Sequence, residues 1–214
     1  MMMASANDKT STGPSPEDIK KREELSDFAL VLKNGEGLKC HKFMLAKVSS
    51  FFSAILKQDC VETRTNKMKV TEFEPGTVES FLDYIYSVLE LMGNFDEKRL
   101  TLEVLKMAHM YEVKHLQDKC VEHMKKNIKD ANVVEIWTTA EKIGNAELKK
   151  VTLEYLGKKQ KQVLDVPGLK ESLHSPQLRE SLVMYLAANS RIPTPELQSV
   201  YNLSSGGSFS FRKC

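Results

Sequence analysis

No apolar run in these 214 residues approaches the roughly 18 to 20 positions a membrane-spanning helix requires. One sign of charge does not dominate either: 31 basic residues face 29 acidic ones, for a net charge of +2. A protein built mainly to hold nucleic acid carries a clear basic excess, so nucleic acid is not an expected partner. Cysteine is sparse. Cys40, Cys60, Cys120 and Cys214 form no C-x-x-C pair, which excludes a ribbon-type zinc site and a dithiol redox motif. They read as reduced thiols acting as small apolar residues, with no disulfides. The first residues lack the basic and apolar regions of a secretory signal. Met2 stands where N-myristoylation needs glycine, and Cys214 comes three positions too late for a prenylation box. The expectation is a soluble protein of the nucleus or cytoplasm with no membrane partner.

Catalytic constellations are absent too. There is no G-x-S-x-G elbow, P-loop, G-x-G-x-x-G, H-E-x-x-H or zinc-finger spacing. The nearest metal candidate pairs Cys120 with His123 on one helix, with His115 or His109 off their common face. Zinc normally takes four ligands, so a core cysteine beside surface histidines is the expected arrangement. The pairs Lys149-Lys150 and Lys158-Lys159 are interleaved with Glu147 and Glu154 and read as a solvated helix face. No catalytic residue, metal or cofactor is expected, and the chain does not read as an enzyme.

What is present is periodicity. Residues 1–14 are small and polar and read as a disordered lead-in. Ser15-Pro16-Glu17-Asp18 carries the signals of a helix start, and the helix to about Leu25 has only Ile19 and Leu25 as apolar residues. Asp27 to Leu32 reads as a strand, Asn34-Gly35-Glu36-Gly37 as a turn and Leu38 to Cys40 as the return strand of a hairpin. His41 to Leu56 is helical with a break at Ser49-Ser50, and Lys67 to Phe73 is a third strand. Helices follow: one from Pro75 with Val78, Phe81, Leu82, Ile85 and Leu89 on its face, then Glu97–Met110 with Leu105, Ala108 and His109 in register, and Val113–Ile128. Next come one capped by Asp130, then Ala146–Leu164, and a last one opened by Ser175-Pro176. Residues 191–214, rich in serine, glycine and proline, read as a flexible tail. This order excludes alternating βαβ architecture and predicts an α+β fold, a small sheet flanked by a helical cluster.

Two stretches, DFALVLKNGEGLKCHKFMLAKVSSFFSAIL and AHMYEVKHLQDKCVEHM, resemble the BTB (POZ) domain. Asp27, His41-Lys42, Leu45-Ala46, Ser49-Ser50-Phe51-Phe52, Ile85-Tyr86 and the A-x-x-Y-x-V-x-x-L run from Ala108 to Leu116 carry the resemblance. It places a BTB/POZ domain, including an N-terminal dimerisation helix, over residues 15–128. The later VVEIWTTAEKIGNAELKKVTLEYL is similar to the partial BACK-like segment of the speckle-type POZ proteins, here residues 129–190. Those relatives carry an N-terminal MATH domain that captures substrate. Only about 25 residues precede the BTB stretch, so the expectation is a chain without one. The sequence departs from the family over Ser87-Val88-Leu89-Glu90-Leu91-Met92.

The resemblance implies two surfaces. Dimerisation in this family maps onto Ile19, Leu25, Phe43 and Leu45, although Phe43 and Leu45 read equally well as internal packing. A strip of two apolar residues on a polar helix suits a two-fold contact. Cullin binding maps onto the hydrophobic-x-Glu motif, here Cys60-Val61-Glu62, with Tyr111 either flanking the groove or buried as a structural tyrosine. The bland reading of Glu62 is an exposed loop acid. The implied partners are a cullin scaffold, a second copy or a related BTB protein, and a client protein; the implied role is adaptor of a cullin-RING ubiquitin ligase. Two other readings keep dimerisation: a regulatory subunit that pairs with full-length relatives, and a transcription or assembly scaffold.

Overall fold

The computed structural model describes residues 25–88 and 95–189. The Ile19 strip, both expected end segments and Leu89 to Met92 lie outside the described residues. The chain divides into two compact units, residues 1–120 and 121–214.

In the first unit, β1 (Phe28–Leu32) pairs antiparallel with β2 (Gly37–Cys40) and parallel with β3 (Lys67–Val70), in the order β2-β1-β3. The period-2 pattern sends Phe28, Leu30, Leu32, Cys40 and Val70 into the core. Helices α1 (Lys42–Val48) and α2 (Ser50–Ile55) share Ser49, whose side chain accepts from the Phe52 N–H and so makes the break expected there. A third, short helix, α3 (Val61–Thr65), stands where no helix was expected. After β3 come α4 (Pro75–Val88), a 3-10 turn (Glu97–Arg99), α5 (Leu102–Met110) and α6 (Lys114–Lys126), within which the division between the units falls.

Three expectations need correction here. The third strand stops at Val70, because Val70 pairs with Leu32, the last residue of β1; Phe73 is buried beyond it without a ladder. The Glu97–Met110 helix is two elements, because the Thr101 side chain accepts from the Val104 N–H and starts α5 afresh. His109 is not in register with Leu105 and Ala108. Those two are buried and His109 is exposed.

The second unit holds α7 (Val133–Lys142), α8 (Ala146–Lys158), a 3-10 stretch (Gln160–Asp165), α9 (Leu169–Ser172) and α10 (Pro176–Asn189). Its core gathers Val133, Trp137, Leu153, Leu156, Leu169, Leu182 and Leu186. At Gly157 a side chain would come within 2.9 Å of the Tyr185 ring, so glycine lets α8 and α10 approach closely. The helix expected to run to Leu164 tightens into the 3-10 stretch after Lys158. Asp130 does not cap α7. Asn132 takes the cap position, while Asp130 accepts from the Tyr155 hydroxyl at 2.6 Å and from Lys159. The lysines beyond it are largely paired: Lys149 with Glu141, Lys150 with Glu154 and Lys159 with Asp130. The exposed Lys150–Glu154 pair contributes little to stability, while Glu141 is largely buried beside Lys149, and with these pairs the described residues show no continuous basic patch.

Candidate interaction surfaces

The residues that carry the family resemblance meet in space. The Asp27 carboxylate accepts from the Lys42 N–H at 2.8 Å and so satisfies the open start of α1. Beside it the Tyr86 hydroxyl accepts from the His41 N–H at 3.1 Å and meets His41 Nδ1 at 2.7 Å, tying α4 to the end of β2. At the other end of α1, the buried Ser49 hydroxyl donates to the Tyr111 carbonyl. Ser50 donates to the Glu112 carboxylate. Thus the Ser-Ser break is clamped onto the turn that follows α5.

That turn contains a feature the sequence did not reveal. Glu112 adopts φ +52°, a left-handed conformation unusual for a residue with a Cβ. The Val113 N–H reaches the Ala108 carbonyl at 2.8 Å and the Glu112 N–H reaches His109 at 3.2 Å, the Schellman pattern that glycine usually completes. Val113, buried just after the turn, and the hydrogen bond from Ser50 hold Glu112 in place. A polar residue ending a helix just before a new apolar register was the only available signal.

Tyr111 is buried. It stacks on Phe52 with ring centroids 5.2 Å apart and meets Phe51 and Phe81 at 5.4 and 5.9 Å. Burial, with the Glu72 charge adding to it, pushes its hydroxyl up to about 12. Of its two readings, the structural one describes its position: its ring is a core side chain and presents almost no free surface.

Of the three motif residues at α3, Cys60 is half-buried in the N-cap position. Its N–H donates to the Thr63 hydroxyl at 3.0 Å, and its sulfur lies 3.5 Å from that hydroxyl and 3.8 Å from the Ile55 carbonyl. Val61, not Cys60, is the exposed apolar side chain, at 69%. Glu62 lies on the first turn of the helix rather than in a loop, and its carboxylate forms no hydrogen bond or ion pair with the described residues. Arg64 grips Asp59 through two 2.7 Å bonds and holds the Asp59 carboxyl below its ordinary value. The pair bridges the turn that leads into α3.

The residues proposed for dimerisation separate sharply. Leu25 is 81% exposed and Phe43 is 68% exposed, whereas Leu45 is fully buried in its own chain. Leu45 lies on the inward face of α1, two positions from Phe43, so its side chain packs the core and offers nothing to a partner. The Lys47 ammonium lies near the Phe43 ring, 5.9 Å from its centroid. Cys120 is buried, its thiol pushed up to about 12 by burial, and among the described residues no group of three metal-ligating side chains forms around it. Among them too, no helix is long and apolar enough to cross a membrane.

The mixed sheet, the clamped Ser-Ser break and the helical cluster agree with a family assignment made on sequence. The family model described as BTB/POZ domain matches residues 17–128, more than half of the chain. The chain belongs to the BTB/POZ domain family. Its similarity to curated proteins reaches further along the sequence. It is 24% identical over 151 residues to Kelch repeat and BTB domain-containing protein 8 of Danio rerio, covering 71% of this chain and 24% of that protein. Against the Xenopus tropicalis protein of the same name the figures are 22% over 179 residues, 84% and 28%. Kelch-like ECH-associated protein 1A of Danio rerio is 25% identical over 143 residues, covering 65% of this chain and 23% of that protein. The chain therefore spans about a quarter of the length of these relatives. These relatives are named for kelch repeats and the BTB domain, and none of the three is a speckle-type POZ protein.

Proposed function

We propose that this chain is a dimeric protein-interaction module that serves as an adaptor in a cullin-RING ubiquitin ligase. The observation that carries the reading is the start of α3, where Val61 stands exposed beside the Glu62 carboxylate, which pairs with no described residue, just after a turn bridged by Arg64 and Asp59. An apolar side chain next to a free carboxylate offers a scaffold one pocket-filling group and one charge-assisted hydrogen bond. Leu25 and Phe43 supply the contact with a second copy. Such a protein performs no chemistry itself. It raises the effective concentration of a client near the conjugating machinery, in the nucleus or cytoplasm.

In this reading residues 129–190, taken as a partial BACK-like segment, extend the adaptor beyond its BTB domain. A second reading is favoured by the placement of Cys60. With the sulfur turned to the Ile55 carbonyl, Val61 alone supplies the apolar contact, and a weak scaffold contact would make the chain a regulatory partner of related BTB proteins. Affinity purification of the tagged chain with mass spectrometry tests both. Co-purification of a cullin with an independent client supports the adaptor. Recovery of related BTB proteins, with the cullin lost when they are depleted, supports the regulatory subunit.

A further inference from the structure

We infer that the open face and free edge of the three-stranded sheet form a docking site for an extended acidic segment of a partner protein. The register defines the face. One cross-strand row reads Lys39-Ala29-Lys67, the next Gly37-Val31-Lys69. Lys39, Lys67 and Lys69 are exposed, and Ala29 and Val31 between them are only half-buried. Neighbouring strands lie about 4.8 Å apart and residues two apart on a strand about 7 Å apart, so the three lysines spring from an area roughly 10 by 7 Å. None of the three forms an ion pair with a described residue. Exposed Lys33 of this unit pairs with Glu74, whereas Lys57, Lys98 and Lys114 likewise form no ion pair with a described residue, so what sets Lys39, Lys67 and Lys69 apart is their clustering on one sheet face.

The edge supplies the second half of the site. The Ala29 N–H donates to the Asn66 carbonyl, so Asn66, Met68 and Val70 direct their backbone groups toward β1. The alternate residues, Lys67 and Lys69, direct theirs outward, where no described strand pairs with them. The Lys67 carbonyl has only a 3.5 Å contact with the Thr65 hydroxyl. An added strand would bond to these groups and set alternate side chains beside the lysine ammonium groups.

Charge selects the occupant. A second copy of β3 would bring Lys67 and Lys69 against themselves, which like-charge pairing disfavours. Acidic residues at every second position would instead meet Lys67 and Lys69, and Lys39, on β2 at the other side of the same face, adds to the positive charge that draws them in. The face has no aromatic ring and no arginine, so it lacks the stacking platform on which single-stranded nucleic acid relies.

The test uses the full chain and a fluorescein-labelled eight-residue peptide alternating glutamate with valine. A lysine-valine peptide and a single-stranded DNA octamer serve as competitors for the same readouts, anisotropy and amide hydrogen exchange. The expected result is binding of the acidic peptide that weakens with salt and slows exchange at the Lys67 and Lys69 amides. Lys67→Glu with Lys69→Glu should lower affinity roughly tenfold, and the milder Lys67→Gln with Lys69→Gln should lower it less. Failure of the acidic peptide to exceed the basic one overturns the proposal. So does binding without slowed exchange at the two amides, or DNA binding as tight as the peptide's.

Discussion

Five large apolar side chains stand exposed in the described part of residues 1–120, namely Leu25, Phe43, Val61, Val88 and Met110, whereas in the described part of residues 121–214 Met184 alone does. The second unit uses its apolar residues internally, around Trp137. The first unit has a full core of its own, with Phe52, Phe81 and Leu105 wholly buried, and still leaves apolar side chains outside it. This difference is why the proposed contacts, at Leu25, Phe43 and Val61, all fall in the first unit.

The largest effect expected from breaking this contrast lies in the second unit. Trp137→Ala removes its central side chain and should cost about 3 to 5 kcal/mol, read as lowered denaturant resistance of the 121–214 unit. Phe43→Asp, in contrast, should leave stability within about 0.5 kcal/mol, because the ring is already in water. Its effect belongs in the oligomeric state: light scattering should show a dimer for the unmodified chain at micromolar concentration and a shift toward monomer for Phe43→Asp with Leu25→Asp. A monomer for the unmodified chain would remove the dimer.

Two helix ends sharpen the contrast at smaller scale. Gly144 and Glu112 both take positive φ after α7 and α5, and both turns close with a hydrogen bond five residues back. Gly144→Ala should destabilise by about 1 kcal/mol, since alanine is strained there. Glu112→Gly should carry the opposite sign, stabilising by up to about 1 kcal/mol. Relief of the left-handed conformation there outweighs one exposed hydrogen bond to Ser50. Equal signs in chemical denaturation would contradict this account of the Glu112 turn.

The effect confined to the narrowest range of conditions is on pH dependence. The Tyr111 hydroxyl is pushed up to about 12 by burial, from an ordinary 10.0. The unfolded chain thus loses this proton first, so the Tyr111 contribution is complete below pH 10 and disappears as pH rises from 10 to about 12. Tyr155 and Tyr185 are also raised, so ultraviolet titration should show several tyrosines ionising late, and Tyr111→Phe should remove the step near pH 12.

The legible parts of this fold were those fixed by period and by turn chemistry. The hairpin, the Ser49 break and the Pro75 and Pro176 helix starts all follow from local pattern. What was hidden depends on distant partners. Asp130 bonds to Tyr155 and Lys159 on α8 and just beyond its end instead of to the next helix, and α3 begins without a side chain that usually caps. The inward turn of Leu45 and the outward one of Phe43 could not be separated on a seven-residue helix whose two faces both carry apolar residues. At the proposed scaffold surface the motif was visible, but which of Cys60 and Val61 faces outward was not.

In the proposed reading Val61 and Glu62, at the start of α3, form the scaffold-binding surface. Calorimetric titration of the purified chain with a cullin N-terminal fragment tests it most directly, run on the unmodified protein, Val61→Asp and Glu62→Arg. Removing either group should cost about 2 kcal/mol, close to thirtyfold in affinity, with the fold unchanged. Equal affinity for all three forms, or no binding by the unmodified chain, would contradict the account.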